Sequence, residues 1–241
     1  MSAAPVNPRS ERRTAAAAAR DAGRPLLLAH RGVHGGGLGH AENSLPALVA
    51  ALSAGCDGVE FDVRFSRDGV PVVVHDATLA RTHGDQRAVR DLDQVELQDL
   101  GVPALSDVLA ALPHTCFIDL ELKVPPLPGF ASTLREWRGA SAESLVISSF
   151  DEAALREIGE RTPEWPCWLN VEVAAPDTLA RARALGAVGV SVEKGLLGSS
   201  LATEAHATGL ELAVWTLRTR EELELLSRPG LVAACVEGDA L

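Results

Sequence analysis

No apolar stretch in these 241 residues reaches membrane-spanning length; charge interrupts each one well short of the ~18 residues that a helical span requires. A soluble globular chain without stable membrane insertion is therefore expected. Closely spaced cysteines are missing too: Cys56, Cys116, Cys167 and Cys235 lie far apart with no C-x-x-C, each at or within an apolar segment. That pattern suits small buried hydrophobes kept reduced in the cytoplasm, and argues against a metal cluster built on thiolates. There is no G-x-S-x-G, no G-x-x-x-x-G-K-[ST] and no H-E-x-x-H, which removes serine hydrolase, P-loop NTPase and zincin chemistry. The glycine-rich loop from Val33 to His40 accepts no G-x-G-x-x-G register, so a dinucleotide fingerprint is also absent. Positive charge is short: the formal net charge is −11, and five arginines against Glu11 and Asp21 in the first 24 residues leave −14 on the rest. An acidic body repels polyphosphate backbones, so nucleic acid is not an expected partner.

What is present fits one α/β unit. Hydrophobic residues make up 46% of the chain, ample for a core, and α/β barrels commonly take about 250 residues as one domain. Residues 1–24 are expected to form a flexible basic arm, part helical through the five-alanine run; Arg20 and Asp21 close that run too early for an export signal. From Pro25 onward one pattern repeats: a short apolar run, a polar end, then an amphipathic stretch closed by glycine. It predicts strands at 26–31, 58–64, 116–123, 144–150, 167–173, 187–194, 210–217 and 231–237. Helices are predicted at 43–54, 104–112, 130–138, 151–161, 176–185, 198–208 and 219–227. Strands alternating with helices imply parallel pairing through right-handed crossovers, and eight of them close a single (β/α)8 TIM barrel over 25–241. The polar segment 77–103 interrupts the alternation after the second strand, as a small cap too short to be a domain. No eighth helix follows the final strand, so the alanine-rich start could cover that gap or the barrel floor.

Chemistry concentrates between Leu26 and Asp76, in LLLAHRG, HAENS, GCDGVEFDVRFSRDG and VPVVVHD. Glu60 and Asp62 lie two apart on one strand and so share a face. Ser66-Arg67-Asp68-Gly69 signals a tight turn that folds 70–74 back along 58–65. With residues 65 and 71 as partners, 61 faces 75, and His75 arrives beside Glu60. Polar residues at strand C-terminal ends line the mouth where such barrels place their sites, which adds Glu121 and Lys123 from the third strand and Trp215 from the seventh. Glu60, Asp62 and Glu121 form an oxygen-only cage suited to one divalent cation, Mg2+ or Ca2+; the alternative is a set of core salt bridges such as Glu121 with Lys123. His30 and His75 are the candidates for proton transfer, with acid and base unassigned. Arg31 and Lys123 would surround an anionic substrate group, provided the first strand ends at Gly32 so that Arg31 can turn inward. Trp215 either floors a pocket or belongs to the core. Asn43 or Ser44 is a good N-cap for the following helix.

The order HRG, EN with a small hydroxyl residue, E-x-D with a D-G turn, then HD resembles the glycerophosphodiester phosphodiesterase family. The likeness extends to Glu121-Leu122-Lys123, to 146–150 and to Val214-Trp215-Thr216. It implies a metal-dependent phosphodiesterase that hydrolyses glycerophosphodiesters to sn-glycerol 3-phosphate and an alcohol, working as a monomer or homodimer. It also implies substrate contact for Glu42 and Asn43. The chain departs from the family's pattern at Ala41, where a proline usually precedes the glutamate, and at two places late in the chain. Leu217-Arg218 takes the place of the family's usual valine-asparagine, and Gly238-Asp239-Ala240 that of a terminal T-D-x-P-like motif. The alternatives are a lipid phosphodiesterase of lysophospholipase D kind and a catalytically silent barrel that binds a phosphorylated ligand.

Overall fold

A computed structural model describes residues 15–35, 39–139 and 144–241; residues 1–14 of the expected basic arm lie outside that set. Eight strands run parallel: β1 (Leu26–His30), β2 (Gly58–Phe65), β4 (Phe117–Leu122), β5 (Leu145–Ser149), β6 (Cys167–Val171), β7 (Gly189–Glu193), β8 (Glu211–Leu217) and β9 (Leu231–Val236). β1 pairs with β2 on one side and with β9 on the other, so the sheet closes into a (β/α)8 barrel. The remaining strand, β3 (Pro71–Val73), is an antiparallel arm on β2 with Phe65 opposite Pro71, the register that the D-G turn implied.

Two cores explain the alternation along the strands. Outward-facing residues such as Ala29, Phe61, Ile118, Leu120 and Ile147 pack against the helices α2 (Leu45–Ser53), α5 (Leu105–Ala111), α6 (Phe130–Arg138) and α7 (Glu152–Arg161). α8 (Thr178–Ala184) and α9 (Ser200–Ala207) continue that outer ring. The interior is filled near its floor by Leu26, Leu28, Phe117, Val146, Trp168 and Ala213, and α1 (Ala15–Asp21) adds Ala16 and Ala19 to the same cluster. The alanine helix therefore covers the barrel floor, where small side chains let its backbone approach closely. The helix predicted at 219–227 is a 3-10 helix, Glu221–Ser227.

Between β3 and α5 the chain forms α3 (Ala80–His83), a 3-10 turn Val89–Asp91 and α4 (Gln94–Asp99). Val72, Val74, Leu79, Val89, Leu92, Leu97 and Val102 give this cap its own small core. A capping box between Asp93 and Glu96 opens α4, and Arg67 from the hairpin turn bonds both carboxylates. The arm and the cap are thus fastened to each other above the barrel rim.

Candidate active site

β1 stops at His30 because the next two residues adopt left-handed backbone, Arg31 at φ 57° and Gly32 at φ 79°. A Cβ on Gly32 would sit 2.5 Å from the Ala47 carbonyl carbon, so only glycine fits against α2 there. The turn sends Arg31 inward beside His30, as the first strand's ending was expected to do. Arg31 Nε lies 3.2 Å from Asp62 Oδ2, and its Nη1 donates to Glu42 Oε1 at 3.0 Å. The two possible caps separate: Ser44 caps α2, while Asn43 is buried and donates to Asp62 Oδ2 at 2.8 Å.

Glu60 and Asp62 project inward from β2 and Glu121 from β4, with Asp62 and Glu121 directly paired in register. One carboxylate oxygen from each lies within 4.8 Å of the others. Asp119, one inward position deeper on β4, brings a fourth buried acid and accepts from Ser148 at 2.6 Å. Against these four stand Lys123 and Arg31, with the Arg64 guanidinium also acting on Asp62 and Glu121. Lys123 Nζ pairs with Glu121 and lies 3.3 Å from Asp62 Oδ1, and Arg31 flanks the other side.

The shortfall shows in the acidities. Burial and the charges of Asp62 and Glu121 push Glu60 well above the usual carboxylate range. Burial and the Asp62 charge push Glu121 up to about 7, and burial takes Asp119 to about 7. Asp62 goes the other way: burial opposes its ionisation, but Lys123, Arg31, His75 and the Asn43 amide together hold it low. Its Oδ1 has no hydrogen-bond partner despite being buried. Crowded carboxyls and a buried oxygen that has the Lys123 ammonium nearby but no hydrogen bond fit a hard cation among these three side chains. The Glu121–Lys123 salt bridge of the alternative reading forms as well.

His75 follows the arm. β3 ends at Val73, the Val74 amide donates to the Asp62 carbonyl, and Arg64 Nε donates to the His75 carbonyl at 2.7 Å. The Val74–Asp62 bond continues the Phe65–Pro71 register one pair past β3, which sets residue 75 opposite 61 and brings His75 to the cavity that Glu60 lines. Burial lowers its pKa, against the opposing pull of Asp62 and Asp76. His75 Nδ1 contacts Asp76 Oδ1 at 2.6 Å, and Arg81 from α3 bonds Asp76 Oδ2 at 2.7 Å and both oxygens of Glu42. His30 has the same kind of partner: Nδ1 meets Glu237 Oε2 at 2.6 Å, and Nε2 lies 3.8 Å from Glu60 Oε2.

A cavity of about 390 Å³ joins these groups, lined among others by His30, Arg31, Glu60, His75, Glu121 and Lys123. Trp215 lines it as well, half-buried, donating to the Ser191 carbonyl at 3.1 Å and meeting Phe150 edge to face. Glu42 and Asn43 lie beside it, reaching the cluster through Arg31 and Asp62. Reasoning from residue types alone gave no role to Glu237, Asp76, Asp119 or Arg218. A larger groove near 670 Å³, lined by Gly23, Leu27, Leu223 and Leu226, is remote from all of this chemistry.

Carboxyls, imidazoles and cations gathered at the C-terminal mouth of a closed parallel barrel define a hydrolase for an anionic ester. Comparison with known proteins makes the class specific. The model of the glycerophosphoryl diester phosphodiesterase family matches residues 30–128 and 120–237, and the chain belongs to that family. It is a phosphodiesterase. A glycerophosphodiester phosphodiesterase of Caldanaerobacter subterraneus subsp. tengcongensis is 26% identical over 226 residues, covering 86% of this chain and 91% of that protein. The crystal structure of a glycerophosphodiester phosphodiesterase from Thermotoga maritima superposes with a TM-score of 0.73 at 25% identity, covering 88% of this chain and 94% of the other. An Oleispira antarctica phosphodiesterase, solved with the product sn-glycerol-3-phosphate, shares the fold with a TM-score of 0.75 at 24% identity, covering 90% and 94%.

Proposed function

We propose that the protein is a metal-dependent glycerophosphodiester phosphodiesterase, releasing sn-glycerol 3-phosphate and an alcohol with His30 and His75 as its acid and base. The observation that carries this reading is the convergence of both imidazoles, Glu60, Glu121, Arg31 and Lys123 on one cavity, with an Asp62 oxygen within 4.8 Å of those of the two glutamates. Glu60, Asp62 and Glu121 would hold one divalent cation, Mg2+ or Ca2+, which supplies positive charge to the nonbridging phosphate oxygens. Arg31 and Lys123 orient the diester from the protein side, and Glu42 and Asn43 keep Arg31 and Asp62 in place. One imidazole takes the proton from the attacking oxygen, a water or the neighbouring glycerol hydroxyl, and the other protonates the departing alkoxide. Both rings can do so through Nε2, since each Nδ1 faces a carboxylate. Four free cysteines, three of them buried, accord with a cytoplasmic enzyme, and no described helix is long and apolar enough to cross a membrane.

A second reading has one feature in its favour. Leu127, Phe150 and Val173, on loops that follow β4, β5 and β6, are exposed apolar side chains near the mouth. They would suit the acyl chain of a lysolipid. An assay coupled to glycerol 3-phosphate, run over glycerophosphocholine, glycerophosphoethanolamine, glycerophosphoglycerol and lysophosphatidylcholine, separates the two. Turnover of the soluble diesters, lost in His30→Ala and His75→Ala, is expected. Preference for the lysolipid favours the second reading, and full turnover by either alanine variant overturns the mechanism.

A further inference from the structure

We propose that Glu237, clamped by Arg218, is the positioning residue that fixes the His30 ring with its Nδ1–H on the carboxylate and its Nε2 toward the acid cluster. This rests on the phosphodiesterase reading of the site, but its geometry stands apart from the metal cage. β9 pairs with β1 so that Ala29 faces Val236; the next step of that register sets Glu237 opposite His30. Ala233 and Cys235 face the barrel interior, so the two-residue period aims Glu237 at the mouth. An ionised carboxylate accepts and cannot donate, so the 2.6 Å contact requires the proton on Nδ1. Nε2 is then left free to exchange a proton with substrate.

The carboxylate is itself held at both oxygens. Oε2 takes His30, and Oε1 takes Arg218 Nε. Backbone bonds set this pair before the side chains meet: the Glu237 amide donates to the Leu217 carbonyl at 2.9 Å, and the Asp239 amide to the Arg218 carbonyl at 3.1 Å. Two other groups approach. His34 Nε2 lies 3.9 Å from Glu237 Oε2 and 3.2 Å from the His30 carbonyl, and Glu222 binds the Arg218 amide at 2.6 Å. The same arrangement recurs independently across the cavity as Arg81, Asp76 and His75.

If the pair merely stapled β8 to β9, its loss would lower stability and leave turnover and the imidazole tautomer alone. Positioning predicts otherwise. In the full-length protein, glycerophosphocholine turnover by Glu237→Ala should fall about tenfold or more in kcat with KM within about twofold, since an unoriented base loses much of its effect. Glu237→Gln should not recover that loss: Arg218 claims its one amide oxygen, the amide NH2 then faces Nδ1, and the ring is turned to the Nε2–H tautomer. Arg218→Met, at an exposed position, should lose several-fold in kcat and keeps the test open if Glu237→Ala does not fold. Nitrogen-15 spectra of the histidine rings should show His30 protonated at Nδ1 in the unmodified protein and shifted toward Nε2–H in Glu237→Ala. An unchanged tautomer, or a raised KM with kcat intact, overturns the inference. If the unmodified protein turns over no diester, the functional reading fails, and the tautomer spectra alone decide this one.

Discussion

Glu60 carries the heaviest electrostatic load of the acids at the mouth: it is buried, faces Asp62, Glu121 and Asp119, and has Arg31 as its opposing charge. A group so placed resists ionisation in the metal-free protein and gains its charge when a cation arrives. Glu60→Gln should therefore abolish most diesterase turnover and yet stabilise the metal-free protein by about 1 kcal/mol and raise its thermal midpoint, since the amide need neither hold a proton nor bear a charge among these acids. Calorimetry beside the coupled assay checks both halves; a lower midpoint would mean that Glu60 is well satisfied as it stands. Residues at this scale were legible where strand alternation placed them. Glu60, Asp62, Glu121 and Lys123 all share an inward face that the sequence pattern displays. Asp119 obeys the same alternation, and its neighbour two positions on drew attention away from it.

At the scale of elements, the end of β1 and the arm after β2 bring the two histidines to one place. Gly32 is the joint in the first: its positive φ and the 2.5 Å approach to Ala47 leave no room for a methyl group. Gly32→Ala should cost about 2–3 kcal/mol in urea denaturation and disturb Arg31, because both the strained backbone and the clash must be relieved. A variant as stable as the unmodified protein would show that α2 can shift freely. In the cap, Asp93→Ala removes the capping box of α4 and should cost about 1 kcal/mol with turnover retained. The hairpin register was legible because its turn chemistry is local. The bond from Arg64 to the His75 carbonyl was not legible, since it joins the two branches of the hairpin through a side chain that no turn signal displays.

For the whole molecule, closure of the barrel joins chain ends far apart in sequence. His30 and Glu237 are 207 residues apart, and no local pattern links them; the β1–β9 register does. The alternation in 231–237 was the available signal, but it becomes informative only once that strand is known to sit beside the first. Closure also concentrates acids, and stability should depend on pH accordingly. Asp119 and Glu121, pushed up to about 7, hold protons in the folded protein that the unfolded chain has released. Stability of the metal-free protein should thus decline as pH rises from about 4 through about 7. Asp76, held by Arg81 and His75, and Glu237, held by His30 and Arg218, are both lowered to about 2. Their contribution is full above the unfolded carboxylate range and disappears as pH falls toward about 2. Stability followed by denaturation across pH should therefore be greatest in mildly acidic solution, and a divalent cation should flatten the decline on the alkaline side. A profile that rises steadily to pH 8 without metal would contradict the crowding of these acids.

The most direct test of the central claim is glycerol 3-phosphate release from glycerophosphocholine by the full-length protein after exhaustive chelation, followed by return of Mg2+ or Ca2+. Turnover should vanish with the cation, return with it, and fail to return in Glu60→Gln or Glu121→Gln. Undiminished release from the chelated protein, or restored release in either variant, would contradict a cation-dependent diesterase centred on Glu60, Asp62 and Glu121.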